Sequence, residues 1–365
     1  MTPLLLNRSQ IDSTRWNEHI SKSIQSVIYA QTFYLDIVAE RWQALVWPSI
    51  HDFKIVMPLP VKKKWGISVL YQPYFCQYLG IFSLKTLSPF ELEAFLKSVS
   101  AHFSYISNYH FNPDNYWSLT NCGSGTDYFE CSLEYTHWLR IGTAYEQLLR
   151  CYSNDRRVNL RRAGKYNWQI EQGKDIAPLI QLFRDYHAHQ IDGGVAPEAL
   201  EQLEALFFGL LHKGNASLHY AYLDNVLHAG ILLVKFGNRT IYLFNAASYL
   251  GRKGNARTLM LNDHFKKEHN ASMIFDFESP PFDSIMQFYN SFGSEKMAYH
   301  AIKKNQLPFP LKVLQNWRKA YFIKTRRGLS SFPCKISNPF PANRSLTPLL
   351  PSMEFYWNRL KPRAA

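Results

Sequence analysis

The chain has 365 residues, 46% of them hydrophobic and 15% aromatic, and this composition excludes disorder throughout because it can fill one large core or two ordinary ones. Its five cysteines are odd in number and form no Cys-x-x-Cys pair, which argues against a disulfide framework or a zinc site and favours a reducing compartment. The first ten residues contain only a short leucine run, and no stretch reaches the roughly 18 apolar residues of a membrane span. We therefore expect a soluble, cytoplasmic protein.

The net charge of +13 is concentrated at one end of the chain. Residues 303–365 hold 13 lysines and arginines against the single acid Glu354, a net charge of +12, together with eight of the 19 prolines. Such a composition resists packing into a core, so we assign these residues to a basic, proline-rich extension. The extension is predicted either to contact an anionic surface, such as RNA or a membrane, or to be a solvated arm.

The first third of the chain is predicted to be a small α/β unit. Hydrophobic spacing indicates helices from Tyr34 to Arg41 and from Pro89 to Ser100, the second with Ser88 as its cap. Strands are predicted for the segments 44–47, 53–61, 67–71 and 105–111. Residues 121–127 are rich in Gly, Ser and Asn and indicate a boundary loop. We therefore place an N-terminal domain at 1–125 and a second domain at 126–302.

The second domain is predicted to alternate helices and strands. Helices are expected near 143–163, at 176–190, 197–212, 256–268 and 284–291, and strands at 168–170, 217–223, 227–236, 240–245, 272–277 and 297–302. The run Ala229 to Val234 is almost entirely apolar, which is typical of a strand buried on both faces of an α/β sheet. The predicted fold class is therefore α/β with a mixed sheet.

A glycine-containing segment joins the strand 240–245 to the next helix. It comprises Gly251, Arg252, Lys253, Gly254, Asn255 and Ala256. Glycines can let backbone N–H groups face an anion, and the positive end of the helix and the two cations add to the attraction. This segment is therefore a candidate site for the pyrophosphate of coenzyme A or another phosphorylated ligand. A helix-entry loop with two surface cations would explain the same residues.

Residues 251–256 resemble the Arg/Gln-x-x-Gly-x-Gly/Ala loop on which GNAT enzymes bind acyl-CoA, with Gly251 at the position of the Arg or Gln. The segment 276–280, Asp-Phe-Glu-Ser-Pro, and the segment 288–293, Phe-Tyr-Asn-Ser-Phe-Gly, are similar to two motifs of Fem-type peptidyltransferases and their acetyltransferase relatives. Four further segments, 58–64, 71–73, 79–82 and 157–163, also resemble this family, and they occur along the chain in the order found in the family. The resemblance implies two tandem GNAT-like acyl-CoA N-acyltransferase domains, a cleft between them, and a donor bound mainly by the second.

Acyl transfer to an amine requires a base and a group that protonates the leaving atom. Asp276 and Glu278 are candidate bases, and their alternation on the predicted strand would point them to opposite faces, so that only one reaches the cleft. Tyr289 corresponds to a helix position where GNAT enzymes often have a tyrosine that protonates the thiolate. A buried structural carboxylate and an aromatic residue on an apolar helix face are the alternative interpretations.

Five further residues are candidates for substrate binding. Arg157 and Arg161 could pair with carboxylates or phosphates of an acceptor, although a helix surface would also explain them. Tyr186 ends a helix before a glycine-rich loop and is a candidate for the rim of the cleft, and Asn159 and Tyr71 are further candidates. No third ligand accompanies the His-x-His pattern at 187–189, so no metal site is predicted.

Three functions are compatible with these observations. The first is transfer of an acyl group from acyl-CoA, as a co-substrate and without a tightly bound cofactor, to a small-molecule or peptide-precursor amine. The second is Fem-type transfer of an amino acid from aminoacyl-tRNA to a cell-wall precursor, in which case tRNA would be a partner. The third is a binding module that has the fold and no catalytic activity.

Overall fold

The computed structural model describes residues 1–64, 66–191, 194–269, 273–280 and 282–311, together with 313 and 317. Most of the predicted extension 303–365 lies outside these residues. The α-helices are α1 (Ser13–Lys22), α2 (Thr32–Val38), α3 (Pro89–His102), α4 (Tyr116–Thr120), α5 (Tyr145–Cys151), α6 (Asn154–Ala163), α7 (Ala177–Tyr186), α8 (Pro197–His212), α9 (Tyr249–Lys253), α10 (Ala256–Glu268) and α11 (Asp283–Asn290). None of these described helices is both long and apolar enough to cross a membrane.

The strands join into one mixed sheet. They are β1 (Leu4–Asn7), β2 (Arg41–Ser49), β3 (Asp52–Lys64), β4 (Ile67–Leu70), β5 (Phe82–Ser83), β6 (Tyr105–His110), β7 (Glu130–Ile141), β8 (Gln169–Gly173), β9 (Ala216–Leu223), β10 (Val226–Phe236), β11 (Arg239–Ala247), β12 (Met273–Asp276) and β13 (Glu295–Asn305). Their order in the sheet is β1-β2-β3-β4-β6-β13-β7-β12-β11-β10-β9-β8, and β5 pairs with β3. The predicted mixed α/β fold is confirmed.

The two halves of the chain have the same topology. In the first half, β1 to β4 are antiparallel neighbours, α3 follows, and β6 lies parallel to β4. In the second half, β8 to β11 are antiparallel neighbours, α10 follows, and β12 lies parallel to β11. The fold is therefore a tandem repeat of one α/β unit.

The halves exchange their next strands. β7 follows β6 in the chain but pairs with β12, and β13 follows β12 but pairs with β6. β7 and β13 also pair with each other along nine residues, so the exchange makes one continuous sheet. The first half is therefore extended by β13, which follows β12 in the chain, and the second half is extended by β7, which follows β6.

Several predicted boundaries differ from those in the structure. The predicted helix 34–41 ends at Val38, because Arg41 already begins β2, and the predicted helix 176–190 ends at Tyr186. α1 and β7 were not predicted. The expectation for Ala229 to Val234 is confirmed, since each of these residues with a side chain is at most 1% exposed. Their side chains divide between the two large hydrophobic clusters on opposite faces of the sheet.

Candidate functional site

A pocket opens where α6, α9, α10 and α11 meet in the second half. It holds about 600 Å³ of space, including its open mouth. It is lined by Arg156, Asn159, Gly251, Arg252, Asn255, Arg257, Thr258, Ser284, Ile285 and Phe288. The lining contains three guanidinium groups and no carboxylate, so its charge is that of an anion-binding site.

Arg156 is the most deeply placed of the three arginines, at 5% exposure. Its Nε donates to Ser291 Oγ at 2.8 Å and its Nη1 to Thr258 Oγ1 at 2.6 Å. Its guanidinium lies 4.2 Å from the ring centre of Phe288 and 4.5 Å from that of Phe292. These contacts fix its direction but bring no negative charge, and a buried cation held in this way attracts an anion strongly.

Arg252 and Arg257 complete the group of cations. Arg252 Nη1 donates to the carbonyl of Ala247 at 3.0 Å, and Arg257 Nη1 donates to Asn245 Oδ1 at 2.5 Å. Burial and the charge of Arg257 lower the pKa of Arg156 to about 10, and the same two causes lower the pKa of Arg252. The guanidinium groups therefore repel one another, and a bound anion would relieve that repulsion.

The N-terminus of α10 adds to this positive potential. Its N-cap, Asn255, has a left-handed backbone with φ of 54° and makes no side-chain hydrogen bond to the first turn. The first N–H groups of a helix have no partner within the helix and carry the positive end of its dipole. In this pocket they can bind an anion between the arginines.

The glycines of segment 251–256 have a different role from the one expected. The segment forms the short helix α9 and the cap of α10, and both glycine N–H groups are used internally, by Ser248 Oγ and the carbonyl of Leu250. A Cβ atom on Gly251 would lie 2.1 Å from the carbonyl oxygen of His228, and one on Gly254 would lie 2.4 Å from the Trp168 ring. The glycines allow close packing and do not present N–H groups to an anion.

The predicted residues of this region are only partly brought together. Gly251, Arg252, Asn255 and Asn159 line the pocket, whereas Lys253 is exposed and does not. Arg157 and Arg161 are also exposed, on the outer side of α6. Arg156 and Arg257 were missed. The helical period signals Arg156, because in α6 it shares a buried face with Ala163.

The two predicted tyrosines lie in different halves. Tyr186 is half-buried at the end of α7. Burial and the charge of Arg257 lower the pKa of Arg252, and the nearby Tyr186 acts in the opposite direction and raises it. Tyr71 lies in the first half, where its hydroxyl accepts a hydrogen bond from the Glu40 N–H at 3.1 Å. Burial raises the pKa of Tyr71 to about 12. Of these two tyrosines, Tyr186 is therefore the one near the arginine pocket.

Asp276 belongs to a buried cluster between the two halves. Its Oδ1 accepts from Thr136 Oγ1 at 2.9 Å, and its Oδ2 accepts from the Tyr78 hydroxyl. Arg239 Nη1 donates to the same hydroxyl at 2.7 Å, and Arg239 Nη2 donates to Asp114 Oδ2 at 3.0 Å. Burial raises the pKa of Tyr78 well above its ordinary value, so this hydroxyl stays protonated as a donor. Asp276 thus has the surroundings of a structural carboxylate.

The chain leaves the sheet after Asp276. Glu278 follows the end of β12 with a left-handed backbone, at φ of 48°, and its N–H donates to Asp276 Oδ1 at 3.0 Å. The next N–H, of Ser279, donates to Thr136 Oγ1 at 3.2 Å, and the Ser279 carbonyl accepts from Gln77 Nε2 of the first half at 3.2 Å. The predicted alternation of Asp276 and Glu278 on a strand is therefore wrong, because β12 ends at Asp276 and Glu278 has a left-handed backbone. We call the residues 277–279 the corner.

Tyr289 lies in an aromatic cluster beneath the corner. It is 2% exposed, and its ring stacks on Phe277 with 4.6 Å between the ring centres. Tyr242 meets it edge-on at 6.2 Å. The structure therefore gives Tyr289 the packing of a core residue, in agreement with its interpretation as an aromatic residue on an apolar helix face.

The pairing of β11 with β12 ends beside the corner. β11 pairs with β12 only from Arg239 to Ile241, although β11 continues to Ala247. A bulge at Leu243 shifts its register with β10 in the same stretch. β11 therefore extends past the end of β12 from Tyr242 to Ala247. Among the described residues no His, Cys, Asp and Glu side chains form a metal-binding group.

Residues 150–277 match the family model described as "Acetyltransferase (GNAT) domain". These residues form a GNAT domain. Three solved structures are similar to the chain: FemX (14% identity, 83% of this chain and 98% of that one, TM-score 0.58), a conserved protein of unknown function from Bacteroides thetaiotaomicron VPI-5482 (10%, 80% and 97%, TM-score 0.52), and a tandem GNAT protein from the clavulanic acid biosynthesis pathway (9%, 84% and 99%, TM-score 0.48). No curated protein matches the sequence.

The likeness to FemX covers 83% of the chain and shows the fold of its two halves. Together with the repeated topology, it confirms the predicted tandem arrangement of two GNAT-like units. Arg156, Arg252 and Arg257 all lie within the matched GNAT domain. The chain therefore has a GNAT acyltransferase fold whose second unit carries the arginine pocket.

Proposed function

We propose that the chain transfers an acyl group from acyl-CoA to an amine. The observation that carries the proposal is the arginine pocket, where Arg156, Arg252 and Arg257 surround the uncapped start of α10 and no carboxylate lines the wall. A diphosphate matches this arrangement, because guanidinium groups bind phosphate oxygens in pairs and a helix N-terminus adds N–H donors. Coenzyme A is then a co-substrate and no tightly bound cofactor is needed.

The acyl end of such a donor would lie where β11 extends past the end of β12. The amine nitrogen attacks the thioester carbon, the C–S bond breaks, and the amide and free coenzyme A leave. An incoming ammonium gives one proton to a base before attack, and the second proton passes from nitrogen to the departing sulfur. Alignment of the two reactants supplies much of the rate enhancement without a covalent enzyme intermediate.

Glu278 is the base that we propose. Its side chain is 2% exposed and is carried by the corner, which follows the end of β12 and bonds to Gln77 of the first half. We assign Asp276 and Tyr289 to support of this corner, because one is bonded to Tyr78 and Thr136 and the other is stacked on Phe277. A left-handed backbone at a non-glycine residue such as Glu278 is a feature found at functional sites.

Thermal unfolding with coenzyme A, acetyl-CoA and longer acyl-CoA species tests the donor. A ligand at about 100 times its Kd stabilises a fold by about 2.7 kcal/mol. We expect stabilisation in the wild type, its loss in Arg156→Met, and its retention in Arg157→Met, which removes an exposed arginine from the same helix. Mass spectrometry of acetyl-CoA incubated with a panel of primary amines then detects the amide.

The other two functions give different results. An aminoacyl-tRNA donor predicts no shift with any coenzyme A species and RNA binding that weakens steeply with salt. A module without activity predicts no amide with any donor, even where a ligand stabilises the fold. Either result would overturn the proposed reaction.

A further inference from the structure

The first part of β7 has an open edge on the side of β12. β12 pairs only with Trp138 to Ile141 of β7, whereas β13 covers the other side of β7 from Glu130 to Trp138. Among the described residues, no strand lies beside residues 130–136 on the β12 side. An unpaired strand edge of this length is a template for another extended chain.

The hydrogen-bond pattern shows which backbone groups face the open edge. The Phe277 N–H donates to the His137 carbonyl at 3.0 Å, so the backbone of His137 points toward β12. In a strand with two neighbours, alternate residues bond to alternate sides. The N–H and C=O groups of Cys131, Leu133 and Tyr135 therefore face the open edge, and those of the residues between them bond to β13.

A surface rich in aromatic rings lies on one face of the sheet beside this edge, with the Lys296 ammonium 3.8 Å from the ring centre of Tyr135. Leu133 is 46% exposed and pairs across the sheet with His300, which stacks on Tyr116 at 5.4 Å. Tyr135 is half-buried on the same face, and Trp117, which follows Tyr116, is 74% exposed. A chain bound at the edge could place every second side chain on this surface.

The open edge begins at the corner. β12 runs antiparallel to β7, and its line ends where the Ser279 N–H bonds to Thr136 Oγ1. An added strand beside Tyr135, Leu133 and Cys131 would continue that line. Two residues of strand span about 7 Å, so the first residue of such a strand would lie within about 7 Å of the corner.

We propose that the edge of β7 binds the acceptor as an extended peptide, antiparallel to β7, with its free amino terminus at the corner beside Glu278. This inference rests on the proposed function and adds the class of acceptor. The unpaired backbone groups specify an extended main chain, and their continuity with the corner specifies which end of that chain meets the donor. Recognition then comes mainly from main-chain hydrogen bonds, as in other strand-addition complexes.

Alanine oligomers of one to five residues, with free amino termini and amidated carboxyl termini, are the probes for this proposal. We expect kcat/KM for acyl transfer to rise about tenfold across the series, because added main-chain hydrogen bonds contribute to binding. Leu133→Pro removes the edge N–H without removing a bond to β13, so it should abolish this length dependence. Leu133→Ala keeps the N–H and should retain it.

Hydrogen exchange gives a second measurement on the wild-type protein. Penta-alanine amide should slow exchange of the Leu133 and Tyr135 amides, whereas alanine amide should not. The absence of both this protection and any length dependence would overturn the proposal. The proposal would also be overturned if the wild-type protein formed a dimer and Leu133→Pro dissociated it, because a second copy of the chain would then occupy the edge. Thermal unfolding of the same samples with coenzyme A shows whether the donor site still binds. If coenzyme A stabilises the protein while the peptide results are negative, the peptide proposal fails and the donor site does not.

Discussion

Arg239 lies with its Nη1 3.5 Å from Asp276 Oδ2, and both side chains are almost fully buried. Arg239 also bonds to Tyr78 and Asp114 of the first half, and its guanidinium lies 4.2 Å from the ring centre of Trp138. The cluster thus joins the parallel strands of the second half to the loops of the first. It fixes the end of β12, and therefore the corner that carries Glu278.

Asp276→Asn should destabilise the protein by about 3 kcal/mol or more, because it leaves a buried guanidinium with less compensating charge. Urea unfolding measures the change. Glu295→Gln is the matched control, since it breaks an ion pair with Arg140 at 3.5 Å in which both side chains are 61% exposed. That change should cost less than about 1 kcal/mol. Equal losses in the two variants would contradict the structural role of the cluster.

The sequence predicted the fold where local signals and packing agree. α8 was predicted with its observed bounds, because proline stands at its first position and its apolar residues recur at helical spacing. β7 was not predicted, although Leu133, Tyr135, Leu139 and Ile141 alternate, because charged residues are interspersed along it. Its exchange between halves depends on pairing with β12 and β13, and no local pattern encodes that pairing.

The site was predicted less well than the fold. Arg157 and Arg161 were chosen from a motif, whereas Arg156 faces the pocket because of its phase in α6. The strand predicted around Glu278 ends two residues earlier, and the sequence gives no sign that the Glu278 N–H bonds to the Asp276 side chain. Thr136 bonds to both Asp276 and Ser279 across more than a hundred residues of sequence, and no local pattern predicts those bonds.

Gly251→Ala should destabilise the fold by about 1–3 kcal/mol and weaken donor binding, because the added methyl group would overlap the His228 carbonyl and push α9 from β10. Gly164→Ala is a suitable control, since its new methyl group would lie 3.6 Å from the nearest atom, the Arg161 carbonyl oxygen. Urea unfolding and titration with acetyl-CoA measure the two effects. A Gly251→Ala protein of wild-type stability would show that α9 can shift at no cost.

His187 should make the protein sensitive to acid. Burial, followed by the charges of Arg257 and Arg252, lowers its pKa to about 3, against about 6.5 in an unfolded chain. The unfolded state therefore binds more protons between these values, and the free energy of unfolding falls as the pH falls below about 6.5. From pH 7 to pH 5 this single group accounts for a loss of about 2 kcal/mol.

The test of this linkage compares His187→Gln with the wild type by urea unfolding at pH 7 and pH 5. Glutamine can accept the Ala247 N–H that His187 Nε2 now accepts at 3.1 Å, and it does not titrate. The variant should lose less stability on acidification than the wild type does. His51→Gln, at an exposed position, should behave as the wild type. An unchanged pH dependence in His187→Gln would contradict the assignment.

Glu278→Gln and Tyr289→Phe separate the proposed base from its support. Glu278→Gln keeps the shape of the corner and removes the carboxylate, so kcat should fall by about 10²–10⁴-fold while the affinity for acetyl-CoA is unchanged. Tyr289→Phe keeps the ring that stacks on Phe277 and should leave kcat close to that of the wild type. Steady-state kinetics with acetyl-CoA and a reactive amine measure both. A large loss of kcat in Tyr289→Phe alone would instead assign the protonation of the leaving thiolate to the tyrosine hydroxyl, and the carboxylate of Glu278 would then be part of the fold of the corner.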